Sequence, residues 1–133
     1  MFTAKAEWKE KFVFKVTGNS GYEFVTDGDS KIASSPMELV LGALCGCTAY
    51  DVVSILQKKR EAVKGVEVSA QAEKAADSPR VYTAIELLYR VTGKVSRKAV
   101  EDAVRLSEEK YCSVAAMLSK TAKIMYRIEL DTE

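Results

Sequence analysis

The most informative segment of this sequence is residues 35–48, which read SPMELVLGALCGCT. Ser35 suits the N-cap of a helix, Pro36 suits the first helical position, and Glu38 can complete a capping box. The residues that follow are apolar on every side, a pattern typical of a helix that is buried on every side. We expect the helix to continue to about Arg60, because the basic cluster of Lys58, Lys59 and Arg60 suits the negative C-terminal end of a helix dipole. A small domain rarely covers such a helix alone, so the pattern also points to a partner subunit.

The order of apolar and polar residues in the segments on either side predicts strands and amphipathic helices. Upstream, apolar residues alternate with polar ones over residues 2–16, a turn signal follows at residues 18–21, and residues 22–25 resume the extended pattern. Downstream, strands are expected around residues 66–68 and 124–130, and Ser96 is expected to cap a helix. A long strand is expected with one face formed by Val81, Thr83, Ile85, Leu87, Tyr89 and Val91. With a short helical segment at residues 112–118, the order is βββ-α-ββ-αα-β, an α+β fold.

Composition indicates one soluble domain and excludes several chemistries. The chain has 133 residues and 47% hydrophobic content, so we expect a single domain over residues 1–133. A net charge of +1 gives no general attraction to nucleic acid or to an anionic membrane. The longest apolar run, residues 39–50, is shorter than the roughly 20 residues that span a bilayer. The sequence has no histidine, which excludes Ser-His pairs, Cys-His pairs and histidine metal sites.

Three cysteines remain as the chemically unusual side chains: Cys45, Cys47 and Cys112. Residues 1–14 lack the apolar core of an export signal, so an odd cysteine count predicts a cytoplasmic protein with reduced thiols. Cys45 and Cys47 point to nearly opposite sides of a helix, which disfavours a shared metal ion or a mutual disulfide. Cys47 and Cys112 are far apart in sequence but can meet in the fold and cycle between dithiol and disulfide. The alternative is that each cysteine is a small buried hydrophobic residue.

Four acidic positions near the cysteines have both functional and structural interpretations. Asp51 shares the helix face of Cys47 and can orient a neighbour or accept a proton, but it can equally cap a backbone group or pair across an interface. Glu38 can support a site, although the capping box already explains it. A position close to a helix N-terminus is expected to lower the pKa of Cys112, whereas negative charge at Glu108 and Glu109 opposes that effect. A solvated helix face is the default interpretation of these two glutamates.

Several motifs resemble the OsmC/Ohr family, which includes osmotically inducible protein C and the organic hydroperoxide resistance protein. Residues 35–48 resemble its signature helix, and three further segments resemble its YhfA-like branch in particular. These segments are residues 51–56 (DVVSIL), 79–83 (PRVYT) and 106–114 (LSEEKYCSV). The resemblance covers essentially the whole chain.

The resemblance implies an intertwined homodimer in which the long helix is buried at the centre. It implies thiol-dependent reduction of peroxides, with organic hydroperoxides preferred to hydrogen peroxide. In that chemistry Cys47 matches the peroxidatic cysteine and Cys112 the resolving cysteine. An external dithiol, in this family often a lipoyl protein, reduces the resulting disulfide, and no metal or other cofactor is required.

The sequence departs from the family pattern at the groups that support the thiolate. Well-studied members use an arginine from the N-terminal strand region and a glutamate ten residues before the peroxidatic cysteine. Here the first arginine is Arg60, the glutamate position holds Met37, and Glu38 is displaced by one residue. Lysines are candidates to substitute as point charges: Lys5, Lys9, Lys11 and Lys15. The alternative function is therefore a non-catalytic dimeric binding or redox-sensing module. Cys45 is additional to the pattern and is interpreted as packing.

Overall fold

A computed structural model describes residues 1–132 of the chain. It confirms the α+β class and the predicted order of strands and helices, with one π-helical turn added between the last two helices. The strands are β1 (Ala4–Glu10), β2 (Val13–Gly18), β3 (Glu23–Asp27), β4 (Ala62–Lys74), β5 (Tyr82–Lys94) and β6 (Lys123–Asp131). The helices are α1 (Pro36–Lys58), α2 (Arg97–Leu106) and α3 (Ser113–Leu118), and the π-helical turn is Ser107–Tyr111. The chain divides into two compact units, Met1–Leu41 and a second unit from Gly42 onward.

The first unit contains an antiparallel sheet in the order β1-β2-β3. Lys11, with a φ of 46°, reverses the chain between β1 and β2. Asp27 ends β3, and its carboxylate accepts hydrogen bonds from the backbone N–H groups of Asp29, Lys31 and Ile32 at 2.8, 3.1 and 3.1 Å. These bonds lower the pKa of Asp27, with the bond from Asp29 having the largest effect. The carboxylate therefore fixes the loop that leads towards α1.

The predicted capping box is confirmed at the start of α1. The N–H of Glu38 donates to Ser35 Oγ at 3.3 Å, and the N–H of Ser35 donates to Glu38 Oε2 at 2.6 Å. The helix ends at Lys58, and Arg60 adopts a φ of 60° just beyond it. A left-handed residue after the last turn stops a helix, which explains why the helix ends slightly before the predicted residue.

The single chain buries α1 on one side only, so burial on every side stays a prediction that depends on a partner subunit. One stripe, spaced by four residues, is fully buried: Leu44, Thr48, Val52 and Leu56. Elsewhere on the helix, Gly42, Ala43 and Gly46 are exposed, and Tyr50 is 73% exposed. One chain therefore covers a single stripe of an otherwise apolar helix.

The apolar run of residues 39–50, which is too short to span a bilayer, is only part of α1. The whole of Pro36–Lys58 is long and apolar enough, by length and composition alone, to cross a membrane. The core helix of a soluble protein passes the same test. The buried stripe of α1 packs inside the second unit, and Asp51 on this helix accepts a hydrogen bond from Ser107.

The second unit contains a sheet in the order β4-β5-β6, with β5 antiparallel to β4 and parallel to β6. The predicted buried face of β5 is correct for Ile85, Leu87, Tyr89 and Val91. The prediction is wrong at the start of the strand. Val81 precedes β5, Thr83 is exposed, and Tyr82 is buried in place of Thr83. The register to β4 shifts at this point, so an extra residue in β5 moves the side chains to the other face.

The connection from β5 to β6 consists of α2, the π-helical turn and α3. Ser96 caps α2 as predicted, with its side chain accepting from the N–H of Ala99 at 3.1 Å. The π-helical turn closes with the N–H of Cys112 donating to the carbonyl of Ser107 at 2.9 Å. Cys112 then occupies the N-cap of α3. The fold thus carries Cys112 in the segment that joins two neighbouring parallel strands.

Candidate functional site

Two of the three cysteines come together in the second unit. The side chains of Cys47 in α1 and Cys112 after the π-helical turn are hydrogen-bonded to one another. Both are free thiols; Cys112 is buried, with 3% of its surface exposed, and Cys47 is half-buried. A buried thiol next to a more accessible thiol is an arrangement that can form a disulfide with little movement.

The surroundings of Cys112 keep its proton on sulfur. Burial is the largest cause that raises the pKa of this thiol, and the hydrogen bond to Cys47 raises it further. The backbone N–H of Ala115 donates to Cys112 Sγ at 3.3 Å and lowers the pKa, but it does not outweigh burial. The expectation that a helix N-terminus lowers the pKa of Cys112 is therefore wrong.

A buried chain of polar side chains links the helix of Cys47 to the segment of Cys112. Thr48 Oγ1, next to Cys47 in sequence, lies 2.6 Å from the hydroxyl of Tyr89 and 2.8 Å from Ser107 Oγ. Ser107 Oγ in turn donates to Asp51 Oδ2 at 2.8 Å. The hydroxyl of Tyr89 donates to Glu108 Oε1 at 2.6 Å. Five side chains from α1, β5 and the π-helical turn thus form one hydrogen-bonded network beside the thiols.

Two members of this network have perturbed acidity. Burial raises the pKa of Tyr89, and the bond to Glu108 raises it further. Burial also raises the pKa of Glu108, while the hydrogen bond from Tyr89 lowers it. The negative charge of Glu108 contributes to the raised pKa of Cys112. An electrostatic interaction therefore connects the far end of the network to the buried thiol.

The other residues singled out in the sequence have structural partners. Asp51 accepts from Ser107 and belongs to the network. Glu38 forms the capping box and also accepts from Ser30 Oγ at 3.0 Å. Cys45 is half-buried, and burial raises its pKa.

Most of the candidate lysines in the first unit are already engaged with carboxylates. Lys5, Lys9 and Lys15 lie 3.4, 3.7 and 3.9 Å from oxygens of Glu7. Lys15 also lies 3.5 Å from Glu23. These are surface ion pairs, which contribute little to stability.

Thr48, Tyr89 and Ser107 are not identified as site residues in the sequence analysis. Each stands at a position whose neighbours on the same face are apolar, and each is buried with a hydrogen-bond partner. A polar residue on an apolar face is the signal that marks such a network. Over the described residues, 1–132, no group of three or more His, Cys, Asp and Glu side chains is arranged to hold a metal ion.

Comparisons with known proteins agree with this fold. The family model described as OsmC-like protein matches residues 27–127. Protein YhfA from Escherichia coli K12 is 46% identical over 129 residues, which cover 96% of each chain. The crystal structure of a hypothetical protein from Aquifex aeolicus VF5 superposes with a TM-score of 0.92 at 33% identity, covering 100% of this chain and 98% of that one.

The structure of an organic hydroperoxide resistance protein OsmC from Legionella pneumophila is more distant. Its TM-score is 0.73 at 14% identity, with 97% of this chain and 96% of that one covered. Identity this low shows a shared fold and leaves the chemistry to be argued from the residues themselves.

Proposed function

Since this chain belongs to the OsmC-like protein family, we propose that it is a cysteine-based peroxidase that reduces organic hydroperoxides. The observation that carries the proposal is the hydrogen bond between the side chains of Cys47 and Cys112. Cys47 is the more accessible thiol, and Cys112 holds its proton, so the roles of the two sulfurs differ. Hydroperoxide resistance is the named property of relatives with this fold.

The proposed reaction uses one peroxide and two thiols. The thiolate of Cys47 attacks the terminal oxygen of the hydroperoxide, the O–O bond breaks, and Cys47 becomes a sulfenic acid while an alkoxide leaves. Protonation converts the alkoxide to an alcohol. Cys112 then attacks the sulfenic sulfur, and the hydroxyl leaves as water to give the Cys47–Cys112 disulfide. An external dithiol, such as a lipoyl group, restores both thiols by exchange and becomes the oxidised partner.

The active form is proposed to be a homodimer. On α1, Gly42, Ala43 and Gly46 are exposed and Tyr50 is 73% exposed, although the helix is largely apolar. The sheet of the first unit leaves Trp8 and Phe24 exposed as well. A second copy of the chain is the natural cover for the exposed apolar residues of each unit. Light scattering should give twice the 14.6 kDa mass of the chain, and a stable monomer would contradict the dimer.

The activity is tested with reduced protein, cumene hydroperoxide or hydrogen peroxide, and dithiothreitol or dihydrolipoamide as reductant. We expect catalytic loss of cumene hydroperoxide, a slower loss of hydrogen peroxide, and a Cys47–Cys112 disulfide identified by mass spectrometry. Cys47→Ser should abolish turnover. Cys112→Ser should leave a sulfenic acid that oxidises further, and Cys45→Ser serves as the matched control that keeps activity.

A second candidate is a non-catalytic dimeric module that binds a ligand or senses oxidants. The sequence observation in its favour is that the first arginine is Arg60 and that Met37 occupies the family's glutamate position. A wild-type protein without turnover and without the disulfide would rule out the peroxidase. Slow reaction of Cys47, with a thiol pKa near the ordinary value of about 8.5, would then favour the binding or sensing module.

A further inference from the structure

A cavity of about 400 Å³ lies along the C-terminal half of α1. Its walls come from three elements of the second unit, which are α1, the last residue of α2 and the last residue of the π-helical turn. Neither Cys47 nor Cys112 is among the residues that line it. A cavity of this volume is typical of pockets that hold a small organic molecule, so its lining is informative about a ligand.

The end of the cavity beside the last turn of α1 is positively charged. Lys58 and Lys59 line it, and both side chains are exposed. Over residues 1–132, no carboxylate forms an ion pair with Lys58. Lys59 Nζ lies 3.8 Å from Asp102 Oδ2, but the same carboxylate pairs more closely with Arg105 at 2.9 Å and with Lys98 at 3.3 Å. This end therefore offers one ammonium group without an internal counter-ion and a second whose counter-ion is shared.

The opposite end of the cavity presents a hydrogen-bond acceptor. Asp51 lines this end, and its Oδ2 accepts from Ser107 Oγ at 2.8 Å. Its Oδ1 has no hydrogen-bond partner within the described residues, 1–132. Asp51 and Lys58 are two helical turns apart on α1, which is about 10 Å along the helix axis. The acidic and basic groups are therefore separated along the cavity, and a ligand that spans it can meet both.

The wall between the two ends is apolar and aromatic. Ile55 lies between Asp51 and Lys58 on α1, Leu106 ends α2, and both line the cavity with half-buried side chains. Tyr50 and Tyr111 also line it, and they are 73% and 50% exposed. Exposed tyrosine rings bind flat apolar groups by stacking and edge contacts.

We propose that this cavity is a binding site for a small organic anion that has a carboxylate at one end, a flat apolar body, and a hydroxyl at the other end. The carboxylate binds Lys58 and Lys59, the body packs against Ile55 and Leu106, and the hydroxyl donates to Asp51. The site is separate from the two thiols, so ligand binding does not depend on the proposed peroxidase activity.

A second copy of the chain fits this cavity less well than a small anion. The exposed helix face assigned to the dimer contains Gly42, Ala43 and Gly46, and none of these residues lines the cavity. Tyr50 is the residue that the two surfaces share. Lysines with little internal charge compensation favour an anion over the apolar surface that a dimer contact would bring.

Isothermal titration calorimetry of the reduced wild-type protein with 4′-hydroxybiphenyl-4-carboxylate tests the site, because this probe carries its carboxylate and hydroxyl at opposite ends of a rigid, flat body. We expect saturable binding. Replacing both lysines, Lys58→Ala with Lys59→Ala, should raise the Kd by roughly tenfold, the usual effect of losing a hydrogen bond to a charged group. Lys120→Ala, an exposed lysine outside the cavity, is the control and should leave the Kd unchanged. No saturable binding, or an unchanged Kd in the double variant, would overturn the proposal.

Two analogues of the probe test the two ends of the cavity separately. The carboxamide analogue lacks the negative charge, and the methyl ether analogue lacks the hydroxyl proton, so each should bind more weakly than the probe. Backbone amide shifts in NMR spectra should change most within residues 50–59 and 106–111. Equal affinity for the carboxamide, or shift changes centred elsewhere in the chain, would contradict the site. Since every readout is binding, the result is independent of whether the protein turns over peroxide.

Discussion

The hydroxyl oxygens of Thr48 and Ser107 lie 2.8 Å apart in the protein interior, although 59 residues separate them in sequence. Thr48 directly follows Cys47, and Ser107 accepts the backbone bond that closes the π-helical turn before Cys112. This pair is therefore one of the direct polar links between the two segments that carry the thiols.

Thr48→Val should lower the free energy of unfolding and slow the formation of the Cys47–Cys112 disulfide. Valine has nearly the same shape but leaves Tyr89 and Ser107 without a shared hydroxyl partner. Loss of a buried partner costs about 1–3 kcal/mol of unfolding free energy. Denaturant unfolding measures this loss, and quenched mass spectrometry should show slower formation of the Cys47–Cys112 disulfide. Thr83→Val, at an exposed hydroxyl, is the control, and equal losses for the two variants would contradict the interpretation.

The unfolding free energy of Glu108→Gln, relative to that of the wild type, should increase as pH rises. The pKa of Glu108 is raised in the folded protein, so folding favours its protonated form. That contribution is complete below the unfolded value near 4.5 and is lost as pH rises through the folded value. Glutamine does not titrate, so the variant's stability relative to wild type should increase as pH rises above the unfolded value near 4.5 and through the raised folded value. Thermal unfolding at several pH values tests this, and the same trend in Glu109→Gln would count against burial as the cause.

Ser96→Ala should destabilise α2 by about 1 kcal/mol, the usual cost of losing an N-cap side chain. Ser96 Oγ accepts from Ala99 and donates to Glu61 Oε1 at 2.9 Å, so two bonds are lost. Denaturant midpoints compare this variant with Ser113→Ala, which changes an exposed serine. A smaller loss for Ser96→Ala than for Ser113→Ala would show that the cap is unimportant.

Gly93→Ala should disrupt the β4–β5 pair. Gly93 has a φ of 124°, and an added Cβ would collide with the carbonyl oxygen of Ala62 and lie 2.8 Å from the backbone nitrogen of Lys64. Backbone atoms on both sides cannot yield as a flexible side chain would, so we expect a loss of more than about 1 kcal/mol. Gly18→Ala, where the Cβ meets nothing within 4 Å, is the comparison. Equal melting temperatures for the two variants would refute the collision.

Local sequence signals predicted much of this fold because the interactions that they describe are local. The capping box of α1 and the cap of α2 each depend on residues three apart, and both are present. The buried face of β5 follows from alternation until the register shift beside Thr83, which depends on pairing with β4 and leaves no trace in a periodic pattern.

The site was harder to predict because its character comes from burial and from contacts between distant segments. Sequence reasoning could suggest that Cys47 and Cys112 meet, but the acidity of Cys112 depends on the balance between burial and the N–H of Ala115. Burial is a property of the assembled unit, and it reverses the expectation drawn from helix position alone. The network through Tyr89 likewise requires three elements that are far apart in sequence.

The parallel pairing of β5 with β6 has a consequence for the chain entropy of disulfide formation. Parallel neighbours require a crossover connection, and here that connection carries Cys112. Both ends of the connection are hydrogen-bonded into one sheet, so formation of the sheet restricts the positions that Cys112 can reach. The hydrogen bonds from Ser107 to Thr48 and Asp51 then hold the helix of Cys47 beside this connection, and the entropy cost of closing a disulfide is already met in the folded chain.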